Sequence, residues 1–141
     1  MSRPKTSTAQ VPPLCPCRVG SPVALAYSEC CERYHAGPLR EQAPTAEALM
    51  RSRYTAFTLD LTDYLRDTWH STTRPHMLEP NAPGLQWLGL TVKQHAQQDD
   101  NHATVEFIAR SKLAGRAHRL HEISRFTREE GRWYYVDGQW E

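Results

Sequence analysis

Residues 84–111 read GLQWLGLTVKQHAQQDDNHATVEFIARS, two alternating apolar and polar runs on either side of a polar tip. In the first run Leu88, Leu90 and Val92 alternate with Trp87, Gly89, Thr91 and Lys93; in the second, His102 to Ser111, Val105, Phe107 and Ala109 share one face. A period of two is that of a half-buried strand, so Gln97 to Asn101 reads as a hairpin connection. The pattern continues outward. Gly115 marks the next turn, a third strand is expected over 117–128, and the Glu130-Gly131 turn separates it from a fourth over 132–137. Seven of the ten prolines precede Thr45 and none follows Pro83, so no residue after 83 lacks the backbone N–H that a central ladder needs. Connections this short favour antiparallel neighbours.

Towards the N-terminus the period changes. Ala46, Leu49, Met50, Tyr54, Phe57 and Leu61 recur at three- and four-residue steps, with Thr45 placed to cap the first turn and Glu47 suited to its positive end. This predicts an amphipathic helix of about four turns. A shorter helix is expected from Thr62 or Asp63 to about His70, with Tyr64, Leu65 and Trp69 facing inward, followed by a proline-rich connection over 71–84 with room for one helical turn. Helices first and an antiparallel meander second define an α+β arrangement, in which one sheet face packs on the helices.

All four cysteines, Cys15, Cys17, Cys30 and Cys31, lie within seventeen residues, and the 110 residues that follow contain none. Four thiols so close can saturate one tetrahedral Zn²⁺ at Zn–S distances of about 2.3 Å. Coordination would also supply the folding free energy that so short a segment cannot obtain from an apolar core. Two other readings compete with zinc. A reducing cytosol argues against paired disulfides, and the clustering argues against four unrelated buried thiols. The spacing also lacks the C-x-x-C of thiol oxidoreductases. His35 stands four residues after Cys31 as a substitute ligand or, on the blander reading, a surface histidine.

Composition limits the remaining classes. The 141 residues carry 17 Lys and Arg against 16 Asp and Glu, a formal charge of +1, which gives no footprint for charge-driven nucleic-acid binding. No apolar stretch approaches the roughly 18 residues of a membrane span, and no apolar run like that of a signal peptide opens the chain, so a soluble, cytoplasmic protein is expected. Residues 1–13 are polar and proline-punctuated and read as a flexible tail.

The residues also carry a resemblance. Cys15-Pro16-Cys17, the Gly20-Ser21 turn, Tyr27, Ser28 and Cys30-Cys31 resemble the SEC-C zinc motif found at the C-terminus of the SecA translocase and in many other proteins. Pro44 to Tyr54, Thr68-Trp69-His70, Trp87 to Leu90, Val105-Glu106-Phe107 and Leu120 to Phe126 resemble the YchJ family, also called UPF0225, over about residues 14–138. The resemblance implies a zinc knuckle at 14–37 and an NTF2-like domain at 44–141, a cone of helices against a curved antiparallel sheet. One departure is visible: twelve residues separate the cysteine pairs where eight are usual, with the extra four near Val23 to Ala26. No biochemical activity transfers from the family.

NTF2-like folds often hold a pocket between helices and sheet, but fold alone does not confer function. Candidate pocket residues are Arg53, Tyr54, Trp69 and His70 on the helices and His121, Glu122, Ser124 and Arg125 on the third strand, where alternation leaves open which face is concave. A histidine or carboxylate there could act as a general base and an arginine could hold an anionic group. Plain structural roles compete: Arg53 paired with a carboxylate such as Glu122, His70 on a helix C-terminus, His121 and Ser124 bonded across the sheet, and Trp69, Trp87, Trp133 and Tyr135 in the core. The expected function is a protein-interaction or ligand-binding module, and the alternative is an isomerase- or hydrolase-like enzyme using the pocket. Expected partners are a protein met through the knuckle, with Arg18, Arg33 and Arg40 nearby for an acidic surface, and a second copy of the chain as a homodimer through the sheet. No membrane partner is expected.

Overall fold

The computed structural model describes residues 13–140; the tail expected over 1–13 therefore falls almost wholly outside the described residues. Two 3₁₀ turns, Pro16–Arg18 and Tyr27–Glu29, and a short helix α1 (Glu32–His35) form the cysteine segment. Helices α2 (Ala46–Thr58) and α3 (Thr62–Asp67) follow, then strands β1 (Gln86–Asp99), β2 (His102–Leu113), β3 (Arg116–Glu129) and β4 (Arg132–Trp140). The strands form one antiparallel meander in the order β1-β2-β3-β4. This is the α+β arrangement expected from the change of period.

Local chemistry accounts for the element ends. Thr45 caps α2 by accepting from the Ala48 N–H at 3.0 Å. The helix stops at Thr58, one turn before Leu61, because Asp60 turns left-handed at φ 57°. Helix α3 ends at Asp67 rather than near His70. The next residues instead pair with β4: the Tyr135 N–H donates to the Thr68 carbonyl at 2.9 Å, and the His70 N–H donates to the Tyr135 carbonyl at 2.7 Å. Residues 71–84 form no helix, but one isolated turn opens them, with the Thr73 and Arg74 N–H groups donating to the His70 carbonyl at 3.1 and 2.9 Å.

The register departs from simple alternation at four places, and the one at Leu88 decides which side chains face inward. Trp87 pairs with Ser111 and Gly89 with Arg110, so Leu88 is the extra residue of a β-bulge. Leu88 is therefore turned outward and exposed, while Trp87 joins Leu90 and Val92 on the inner face; the expected set Leu88, Leu90 and Val92 is split. Pairing carries that face across the sheet through Phe107 and Ala109 to Glu122, Leu120, Ser124 and Phe126, and on to Tyr135.

Helix α2 is buried nearly all round, not on a single stripe. One side packs on the sheet and another meets the cysteine segment. A single core runs from Cys15, Cys17, Cys30 and Cys31 through Leu49 and Met50 to Leu90, Val105 and Phe126. The knuckle also touches β1, where the Leu90 N–H donates to the Val19 carbonyl at 2.8 Å. Gly89 allows this contact, since a Cβ there would lie 2.9 Å from the Val19 oxygen, and its φ of 155° disfavours any other residue.

Candidate functional site

The four cysteine Sγ atoms lie within 4.8 Å of one another, and all four residues are buried. The recorded separations are 3.7 Å for Cys15–Cys17, 3.5 Å for Cys17–Cys30, 3.5 Å for Cys17–Cys31 and 3.9 Å for Cys30–Cys31. These are far beyond a disulfide, and all four cysteines are free. A regular tetrahedron of thiolates about 2.3 Å from a zinc ion has edges of about 3.8 Å, so the donor set fits one tetrahedral, thiolate-bound cation. The crowding is electrostatically asymmetric. Cys30 is held far below the usual thiol range by hydrogen bonds from Cys15, Cys17 and Cys31, with Arg18 Nε also donating at 3.3 Å, whereas Cys31 is pushed far up by the same neighbours. Ionising all four sulfurs at these distances would require a cation among them.

The segment is tied to α2 at three points. Arg51 Nη1 donates to the Cys17 carbonyl at 2.8 Å, Thr55 Oγ1 lies 3.7 Å from Cys15 Sγ, and His35 Nε2 donates to the Ser52 carbonyl at 2.8 Å. His35 is neither a ligand nor a surface residue. It is buried, and its Nδ1 accepts from the Tyr27 hydroxyl at 2.7 Å, which fixes the Nε2–H tautomer; burial lowers its pKa. In the lengthened loop the Cys15 N–H donates to the Leu25 carbonyl at 2.8 Å and Leu14 bridges to Ala26, so the added residues close back on the first cysteine pair. The three arginines proposed to face an acidic partner all have local contacts: Arg18 on Cys30, Arg33 Nε on the Cys30 carbonyl, and Arg40 on Glu41 and Asp67.

A second feature lies on the other side of α2, a cavity of about 320 Å³ between α2 and the inner sheet face. Arg53, Tyr54, Trp69, Glu122 and Ser124 all line it. His121 and Arg125 do not, because pairing turns them to the outer face, where His121 Nε2 meets Glu106 at 2.7 Å and Arg125 grips Asp137. His70 is also outside the cavity: it lies beyond the end of α3, not on it, and its Nε2 meets Glu129 at 2.8 Å. Of the four large aromatics, Trp133 is core, whereas Trp69, Trp87 and Tyr135 line the cavity.

Two charged groups set the character of this cavity. Arg53 is 5% exposed, and it forms no ion pair with Glu122. Its Nη1 donates to the Leu65 carbonyl and the Thr68 hydroxyl, each at 2.8 Å, and its guanidinium sits 5.0 Å from the Trp69 ring centroid and 4.6 Å from that of Tyr135. Burial lowers its pKa to about 10, which leaves it charged at neutral pH. Glu122 accepts from Ser124 Oγ at 2.6 Å, Tyr135 Oη at 3.2 Å and Trp140 Nε1 at 3.2 Å. Its carboxylate leans over Gly138, where any Cβ would overlap it. Burial, reinforced by the Glu122 charge, raises the Tyr135 pKa, and burial pushes Tyr54 up to about 12. The sequence marked Glu122 but not Gly138 or Trp140, since only the β3–β4 register brings them to its carboxylate.

Comparison with known proteins places the chain in a family. The family model described as "YchJ, middle NTF2-like domain" matches residues 45–138. A UPF0225 protein of Bordetella parapertussis is 61% identical, covering 98% of both chains. The crystal structure of a SEC-C motif containing protein from Psychrobacter arcticus is similar with a TM-score of 0.72 at 32% identity, covering 87% of this chain and 80% of that one. The solution structure of a SEC-C motif containing protein from Rhodopseudomonas palustris gives a TM-score of 0.74 at 31% identity, covering 89% of this chain and 96% of the other. The chain, a cysteine knuckle on an NTF2-like domain, belongs to the YchJ (UPF0225) family.

Proposed function

We propose that the protein is a small-molecule binding module in which a structural Zn²⁺, held by Cys15, Cys17, Cys30 and Cys31, braces the helix that walls the binding pocket. On this reading α2 and α3 close the sheet into the cone-shaped pocket of NTF2-like proteins. The observation that carries the reading is the open cavity itself: five of the expected pocket residues line about 320 Å³ of space that Tyr54 and Trp69 do not fill. Such a volume is at the small end of the roughly 300–1,000 Å³ common for ligand sites. Binding is preferred to isomerase- or hydrolase-like catalysis because Glu122 accepts from three protein donors and is not free to act as a base.

A thermal-shift screen of small organic molecules tests this, run on the wild type and on Leu120→Trp, which narrows the cavity from its sheet side. Ligands that stabilise the wild type and not the variant support the pocket; a screen without such ligands overturns it. Native mass spectrometry with metal analysis tests the rest, with one zinc per chain expected and its loss in Cys30→Ser, Cys31→Ser protein. The same spectrum reports a monomer or a homodimer.

A second reading, contact with a protein partner through the knuckle, draws on the exposure of Leu14, Val19 and Val23 around the cysteine site. Identical partners captured by wild-type and Cys30→Ser, Cys31→Ser protein would remove the knuckle from that role.

A further inference from the structure

We infer that the NTF2-like cavity selects a compact organic monocarboxylate with an apolar or aromatic body, its carboxylate seated on the free edge of Arg53. The inference rests on the reading of the cavity as a binding site and specifies its ligand.

Of the two buried charges in the cavity, Arg53 and Glu122, Arg53 is the less satisfied. A buried guanidinium is costly unless it is neutralised or fully hydrogen-bonded. Only Nη1 is committed, to Leu65 and Thr68; Nε and Nη2 have no acceptor among the described residues, and the side chain lines the cavity. Nε–H and Nη2–H point the same way and form a planar two-donor fork that matches a carboxylate. The same edge is in use elsewhere in this molecule: Arg125 holds Asp137 through Nε and Nη2, each at 2.6 Å. Inside the cavity no protein carboxylate takes that place, because Glu122 is held over Gly138 by Ser124, Tyr135 and Trp140.

The remaining lining sets the rest of the ligand. Phe57, Phe107, Leu120 and Phe126 offer apolar and aromatic walls. Glu122 and Glu79 also line the cavity, so a second negative charge on the ligand would be repelled, which favours a carboxylate over a phosphate dianion. A cationic head fares worse, since it would meet Arg53 at the buried end.

The test is calorimetric titration of the full chain with 3-phenylpropionate, 3-phenylpropanol, 3-phenylpropylamine and 3-phenylpropyl phosphate, repeated on Leu120→Trp and Arg53→Lys. Expected is binding of 3-phenylpropionate at least roughly tenfold tighter than the other three, as one charge-assisted fork provides. Leu120→Trp should abolish it, and Arg53→Lys, which keeps the charge and removes the fork, should reduce it while leaving the alcohol unchanged. Alcohol, amine or phosphate binding as tightly as the carboxylate, with loss in Leu120→Trp, overturns the ligand class and leaves the pocket standing. No binding by any of the four, together with an empty thermal-shift screen, overturns both. If Arg53→Lys fails to fold, the four-ligand comparison on the wild type decides.

Discussion

His35 Nε2 donates to the Ser52 carbonyl across 2.8 Å, and this bond joins the last turn of the cysteine segment to the middle of the helix that walls the cavity. Its other nitrogen accepts from Tyr27, so a single neutral imidazole closes both sides of the joint. The cysteine cluster and the cavity thus lie on opposite flanks of one helix.

Removing the imidazole leaves the Tyr27 hydroxyl without its acceptor and takes from the Ser52 carbonyl, mid-helix in α2, the donor it has besides the helix bond. His35→Ala is expected to cost about 1–3 kcal/mol, measured by urea unfolding.

Acid should loosen the same joint. Burial lowers the His35 pKa, so the unfolded chain binds a proton more readily, and its contribution is complete above the ordinary histidine value of about 6.5 and declines as pH falls below it. His35→Gln, which cannot titrate, should show a shallower loss of melting temperature than the wild type between about pH 7.5 and 5.5. Parallel slopes would disprove the role.

Because the cysteines belong to the same core as Leu49, Leu90 and Val105, metal removal should weaken the whole chain and not the knuckle alone. Chelation is expected to lower a single cooperative melt by roughly 10 °C, equivalent to about 3 kcal/mol for a chain of this size. An unchanged melt would show the knuckle to be independent.

Gly138→Ala should displace the Glu122 carboxylate without unfolding the sheet, since the overlapping atoms belong to a long side chain. The buried Ser124 hydroxyl then loses its acceptor, for a loss of about 1–3 kcal/mol, and the exposed Trp140 indole loses its contact, for a shift in tryptophan emission.

Arg125→Ala provides the opposite control. The Arg125 guanidinium holds the exposed Asp137 carboxyl below its usual range, so their attraction is present above about pH 4 and fades as pH falls through the lowered value. The substitution should change stability by less than about 1 kcal/mol and ligand affinity not at all.

The alternation of Val105, Phe107 and Ala109, the Thr45 cap and the Glu130-Gly131 turn made the α+β order legible, because each is a local signal read over a few residues. The four clustered thiols were legible for the same reason: their spacing appears directly in the chain. What the chain alone could not decide was orientation. A single bulge at Leu88 sends Trp87 to the cavity, and strand pairing, not alternation, puts Glu122 and Ser124 inside with His121 and Arg125 outside. Arg53 has the appearance of an ion-pair residue in sequence, yet the register hands its expected partner to Ser124, Tyr135 and Trp140. Local propensity specifies elements, while the face an element presents depends on hydrogen-bond register between strands distant in sequence, which only the assembled sheet fixes.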